Sequence, residues 1–83
     1  MRVSNREVPR CWAHGVEASS HTGNFWTDGE KLYSYNLCIG DTSNKLGKVL
    51  RDYTAGSDKY SYYSQTTSCH VGQARQWADI IDG

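Results

Sequence analysis

The dipeptide Asp28-Gly29 constrains the fold of this chain more than any other local feature, because it separates two runs that are typical of β-strands. Residues 25–27 (Phe-Trp-Thr) precede it, and residues 32–33 (Leu-Tyr) follow shortly after it. Asp-Gly readily adopts the positive φ angles that a tight primed turn requires. The sequence therefore predicts a β-hairpin over residues 25–33.

Two more strands, and an extension of the second hairpin strand, follow from the alternation of apolar and polar side chains. The second strand of the hairpin is predicted to continue to about residue 39, and further strands are predicted over residues 46–53 and 60–67, with turns at 41–44 and 54–58. The last strand is mostly polar and is predicted to lie at an edge of the sheet. One face of the second strand would carry four apolar or aromatic side chains: Tyr33, Tyr35, Leu37 and Ile39.

Helical signals lie at the two ends of the chain. A short helix is predicted to begin either at a capping box over residues 4–7 or near Val8, and to end at Gly15. A second helix is predicted to begin at Thr67 or Ser68 and to carry an apolar stripe through residue 81. The expected fold class is thus α+β, a small four-stranded antiparallel sheet flanked by an N-terminal and a C-terminal helix, in one domain over residues 1–83.

Charge and hydropathy exclude several broad classes of function. Nine Lys and Arg balance nine Asp and Glu, so no global field draws the protein to nucleic acid or to an anionic membrane. No apolar run approaches the roughly 20 residues that span a bilayer, and the first residues do not resemble the apolar core of a signal peptide. We expect a soluble, cytoplasmic protein without membrane partners. An 83-residue chain buries only a small core, so a cross-link such as a bound metal ion would stabilise its fold.

Cysteine and histidine side chains near both ends of the chain predict such a cross-link. Cys11 and His14 share one face of the first helix, and Cys69 and His70 lie near the start of the second. Thiolate and imidazole are the ligands that hold structural zinc, so a tentative zinc site joins these four residues. The alternative is that the cysteines are small buried side chains and the histidines make local hydrogen bonds. His21 could replace one ligand, and Cys38 is expected in the core.

An enzyme would have to use the same residues, with Cys69 as the nucleophile and His14 or His70 as the base. Neighbours on a helix project about 100° apart, which places His70 badly for deprotonating Cys69. The sequence contains no recognised catalytic motif or phosphate-binding loop. We therefore do not expect an enzyme.

A tyrosine-rich region with basic side chains is the candidate binding surface. Single-stranded nucleic acid could stack on such rings while the cations contact phosphate, and a protein partner could use the same surface. The alternative is an ordinary solvated sheet face whose lysines prevent aggregation. The candidate partner-binding residues are Tyr53, Tyr60, Tyr62, Tyr63, Lys48 and Arg51.

Several short motifs resemble a group of small uncharacterised proteins from phages, prophages and plasmids. The matching positions are Val8-Pro9, Trp12-Ala13-His14, Asn24-Phe25, Gly29, Leu32-Tyr33-Ser34-Tyr35, Ile39, Thr66-Thr67-Ser68 and His70. Cys11 and Cys69 depart from that pattern, so a zinc site would be particular to this chain.

Small proteins of such origin often occupy a host defence protein. The resemblance therefore implies an anti-CRISPR protein that binds a Cas9 effector and blocks DNA loading or cleavage, acting by direct protein contact. The alternative is an accessory protein that binds single-stranded nucleic acid through a face rich in tyrosine and lysine.

Overall fold

The computed structural model describes residues 1–53 and 64–82. The predicted turn over residues 54–58 and the first half of the predicted strand over residues 60–67 lie outside them. In chain order the elements are β1 (Arg2–Val3), α1 (Glu7–Ala13), β2 (Ala18–Ser20), β3 (Phe25–Thr27), β4 (Leu32–Ser34), β5 (Leu37–Ser43), β6 (Gly47–Arg51), α2 (Gln65–Ala74), a short 3-10 helix (Arg75–Trp77) and β7 (Ile80–Asp82).

The strands form one mixed sheet whose order follows the chain from β1 to β7. The five central strands, β2 to β6, pair antiparallel as a meander. Each outer strand pairs parallel with its neighbour, β1 with β2 and β7 with β6. Parallel neighbours need a crossover connection, and here α1 and α2 lie in the two crossovers.

The two crossovers explain why both helices cover the same face of the sheet. The pairing pattern makes β1 and β6 run in the same direction, and each crossover steps one strand along the sheet in the same sense. Crossovers of one hand then place their helices on one face. In agreement, α1 contacts α2, β2 and β3, and α2 also contacts β6.

The hydrophobic core lies between the helices and the inner face of the sheet. Trp12 of α1 is its largest fully buried side chain, and its indole Nε1–H donates to the Glu30 carbonyl oxygen at 2.9 Å. Gly40 passes so close to this ring that a Cβ there would lie 2.8 Å from Trp12 Cζ2. The buried apolar side chains of the core cluster are Val8, Trp12, Phe25, Leu32, Ile39, Leu50, Val71 and Ala74.

The hairpin predicted around Asp28-Gly29 is confirmed, with a different turn. Strands β3 and β4 pair antiparallel across residues 28–31. Gly29 has φ of 101°, whereas Asp28 keeps a negative φ and uses its side chain instead. Its Oδ1 accepts hydrogen bonds from the backbone N–H groups of Glu30 and Lys31, an Asx-type arrangement that closes a four-residue loop.

The predicted four-stranded antiparallel sheet is wrong, because the chain forms a seven-stranded mixed sheet. The apolar alternation of residues 32–39 does not belong to one strand: the chain reverses at Tyr35, which has φ of 57°, and β5 then pairs back onto β4. Strands β1, β2 and β7 span only two or three residues and carry no periodicity of their own. Residues 18–20 (Ala-Ser-Ser) therefore resemble a loop in the sequence.

The predicted limits of the second helix are also wrong. Ser64 caps α2, since its hydroxyl accepts the backbone N–H of Thr67 at 3.1 Å, so residues 65–67 are helical and not part of a strand. At the other end the helix tightens into the 3-10 turn, and Ala78 adopts extended angles. Ile81 continues the helical spacing in the sequence, but it lies in β7.

Candidate functional site

A stacked pair of aromatic rings marks the outer face of the sheet, the side opposite the helices. Trp26 of β3 and Tyr33 of β4 are directly paired in the ladder, and their rings stack with centroids 4.1 Å apart and planes 11° from parallel. Both side chains are partly exposed, while their strand neighbours Phe25, Thr27 and Leu32 are buried. We call Trp26 and Tyr33 the aromatic pair.

The orientation of the aromatic pair is fixed by a further contact. The Trp26 indole Nε1–H donates to the Tyr35 carbonyl oxygen at 3.0 Å. The chain reverses at Tyr35, and a hydrogen bond from the Tyr35 backbone N–H to the Asn24 carbonyl oxygen at 2.7 Å holds this reversal. The reversal positions the Tyr35 carbonyl oxygen to accept the indole N–H. A flat aromatic surface held in this way loses little conformational entropy on binding a partner.

Lys48, which the sequence analysis places on a binding surface, is engaged inside the molecule. Its ammonium donates to Thr42 Oγ1 at 2.8 Å and to the Gly29 carbonyl oxygen at 3.1 Å, and it lies 5.6 Å from the centre of the Trp12 ring. Burial lowers the pKa of Lys48 below its usual value, and the carboxylates of Glu30 and other nearby acids partly oppose that shift. Lys48 thus ties the β3–β4 loop to the sheet.

The other described candidate binding residues, Arg51 and Tyr53, also make contacts within the protein. The Arg51 guanidinium donates to the Cys38 carbonyl oxygen at 3.3 Å, and Tyr53 packs against the hydrophobic core. Both make further contacts within the protein. The remaining three candidates, Tyr60, Tyr62 and Tyr63, lie outside the described residues.

The predicted zinc ligands lie on the two helices and at their ends. Cys11 is partly buried in α1, and His14 is exposed just after it, with its ring 6.2 Å from that of Trp77. Cys69 is exposed in α2. Residues 1–53 and 64–82 contain no group of three or more His, Cys, Asp or Glu side chains arranged to hold a metal ion.

The alternative ligand His21 is exposed, and Cys38, expected in the core, is a partly exposed residue of β5. The zinc site stays a prediction, which metal analysis of the purified protein tests. Cys11→Ser and Cys69→Ser suit that analysis better than a change at His70, because Cys69 is exposed and Cys11 is partly exposed, whereas His70 is buried.

His70 belongs to a buried polar cluster that joins α2 to β4. Its Nδ1 lies 2.7 Å from Ser34 Oγ, which in turn lies 3.0 Å from Thr67 Oγ1. The imidazole stacks on Phe25 with centroids 4.0 Å apart and planes 3° from parallel. Burial lowers the pKa of His70 below its usual value, because the charged form would lose hydration.

A serine hydroxyl beside an imidazole is also the pairing that activates nucleophilic serines. Here the Ser34 side chain is fully buried, so a substrate has no access to its oxygen. The arrangement can supply hydrogen bonds that hold α2 against the sheet, and we assign it that structural role.

Sequence reasoning missed the aromatic pair, although a signal for it was present. In a hairpin over residues 25–33, strand alternation puts Trp26 and Tyr33 on the face opposite Phe25 and Leu32. The register that makes them direct neighbours depends on loop length. The sequence prediction instead placed the binding surface on the tyrosines nearer the end of the chain.

No described helix is long and apolar enough to cross a bilayer.

Comparisons with known proteins found no relative of this chain. The chain matches no protein-family model, no curated protein and no solved structure.

Proposed function

We propose that this chain is a small binding protein that inhibits a host defence effector by direct contact, with a Cas9 effector as the first target to test. The resemblance to proteins of mobile elements supplies the target. The observation that carries a binding role is the aromatic pair, Trp26 and Tyr33, stacked and held in place on the outer face.

Aromatic side chains in a fixed orientation are the kind of surface that dominates binding energy in protein interfaces. Tyr and Trp bury a large area at low entropic cost. The buried side chains of the inner face and the helices behind them hold the surface. A domain this small can inhibit a larger protein by covering one functional surface of it.

Cleavage of target DNA by Cas9 with guide RNA, titrated with this protein, tests the proposal. We expect inhibition near one-to-one stoichiometry, and we expect Trp26→Ala or Tyr33→Ala to raise the concentration needed by about tenfold or more, as loss of an interface hot spot does. Leu46→Ala is the matched control, because Leu46 is 52% exposed in the turn between β5 and β6. Circular dichroism establishes that each variant is folded. Absence of inhibition by the wild-type protein would reject Cas9 as the target.

Single-stranded nucleic acid is the second candidate, and the aromatic pair also favours it, since bases stack on exposed rings. Its affinity would fall steeply with salt concentration, whereas a protein interface built on aromatic rings would be less sensitive. The internal contacts of Lys48 remove one of the cations that such binding would use.

A further inference from the structure

The aromatic pair belongs to a row of side chains that crosses the outer face from strand to strand. The ladder pairs Ser19 of β2 with Trp26, and Cys38 of β5 with Tyr33. Residues paired in a ladder lie side by side on one face, so these four residues follow one another across four neighbouring strands. All four are partly exposed. Two large rings are thus flanked by one small side chain on each side.

The stacking of the two rings shows which ring surface is open. Adjacent strands lie about 4.8 Å apart, and the rings stack at 4.1 Å with nearly parallel planes. The rings therefore stand up from the sheet, each with one face against the other ring. The second face of Tyr33 points towards β5, over the small side chain of Cys38. In the described part of the chain, no other ring stacks on Tyr33.

The outer face consequently has a ridge next to a groove. The ridge is the aromatic pair, and the groove is the strip over Cys38, beside the open face of Tyr33. Under a two-fold axis that runs along the strands between β4 and β5, the ridge of each copy enters the groove of the other. Packed sheets lie about 10 Å apart and interdigitate their side chains in this way. The open faces of the two Tyr33 rings then meet.

Charge and size also suit a second copy on this face. Nine basic and nine acidic side chains leave the chain without net charge, so two copies do not repel each other. The two longer dimensions of the molecule, 34 and 30 Å, offer a footprint of about 1,000 Å², above the roughly 800 Å² that each partner buries in a standard interface. Val49 and Ile80, paired beside the buried Leu50, add apolar surface to the same face.

We infer that the outer face binds a second copy of this chain, giving a two-fold dimer in which the two aromatic pairs form one stack of four rings. The inference goes beyond the proposed function and adds a condition to it. The dimer covers the surface that the effector would contact, so the effector binds the monomer and competes with the dimer.

Sedimentation velocity over a series of protein concentrations tests the inference with the protein alone. We expect a reversible shift from a monomer of 9.4 kDa to a dimer as the concentration rises. Tyr33→Ala should raise the Kd of the dimer about tenfold or more, as loss of a central interface residue does. Cys38→Phe, which fills the groove, should have an effect of the same size. Thr66→Phe is the matched control, because it adds the same ring to an exposed position of α2, on the other side of the sheet.

A mixture of isotope-labelled and unlabelled protein identifies the contact without any variant. Isotope-filtered NMR should show NOEs between the Tyr33 rings of the two copies. The inference is overturned if the protein stays monomeric, if the dimer shows no such NOEs, or if neither Tyr33→Ala nor Cys38→Phe changes its Kd. Inhibition of Cas9 by a strictly monomeric protein would leave the proposed function standing without the dimer. A dimer with these contacts but no inhibition would reject Cas9 as the target and leave the dimer standing.

Discussion

At the scale of single residues, the contacts that organise this protein are made by side chains whose sequence context gives no sign of their role. His70 resembles a metal ligand in the sequence, yet in the structure it is only 3% exposed, stacked on Phe25 and hydrogen-bonded to Ser34. Lys48 resembles a surface cation, yet it ties the β3–β4 loop to the sheet. Along the chain, Ser34 lies 36 residues from His70, and Gly29 lies 19 residues from Lys48.

The burial of His70 predicts a loss of stability in mild acid. Histidine in the unfolded chain titrates near pH 6.5, and burial lowers the pKa of His70 in the folded state. The unfolded state therefore binds more protons below that pH, and the free energy of unfolding falls as the pH drops through 6.5 towards the folded pKa. Denaturant unfolding at a series of pH values measures this slope.

His70→Gln should remove its share of the slope. An unchanged slope in His70→Gln would contradict the prediction. If that variant does not fold, NMR titration of the His70 ring in the wild-type protein gives its pKa directly, and a value at or above the ordinary one would be equally contrary.

At the scale of elements, helix capping and long-range contacts together determine where a helix begins and ends. The sequence predicts Thr67 or Ser68 as the cap of α2, whereas the structure uses Ser64. Thr67 is then free to join the buried cluster with Ser34 instead of capping the helix. The choice adds a turn to the helix and places His70 against the sheet.

Ser64→Ala should lower the free energy of unfolding by about 1 kcal/mol, because the Thr67 backbone N–H loses its acceptor. Ser64→Asp should retain most of the stability, since its carboxylate can accept the same hydrogen bond. Thr66→Ala is the control, since Thr66 is exposed in the first turn of α2 and makes no capping bond. Equal stability of Ser64→Ala and wild type in chemical denaturation would place the cap elsewhere.

At the scale of the whole molecule, two helical crossovers of the same sense enclose one core against the sheet. Gly40 of β5 approaches Trp12 of α1 closely within this core. A larger residue there must displace either the indole or the neighbouring strand, and close-packed interiors resist both.

Two glycine substitutions distinguish the effect of this close contact on stability from the effect of helix propensity. Gly40→Ala should destabilise the protein by about 1–3 kcal/mol, because the new Cβ would lie 2.8 Å from Trp12 Cζ2 and 2.9 Å from Leu32 Cβ. Gly72→Ala should stabilise it by about 0.5–1 kcal/mol, since Gly72 lies within α2 with no atom near the new methyl group. Thermal unfolding compares the two variants. A neutral or stabilising Gly40→Ala would show that α1 does not pack on the sheet as described.

Features that depend on near neighbours in the chain could be predicted from the sequence. The first helix, the hairpin around Asp28-Gly29 and the strand that became β6 follow from turn chemistry and side-chain periodicity. Strand alternation within the hairpin is such a local signal, and it is sufficient to place Trp26 and Tyr33 on one face.

The remaining features depend on contacts between segments that are distant in the chain. Strands of two or three residues, such as β1 and β7, exist because a neighbouring strand supplies hydrogen-bond partners, and no local pattern encodes that. The reversal at Tyr35 likewise depends on pairing between β4 and β5. Glu17, Trp26 and Asp28 come from separate segments and line one cleft only because of the register of the folded sheet. The partners that stabilise these features are distant in the chain and adjacent only in the fold.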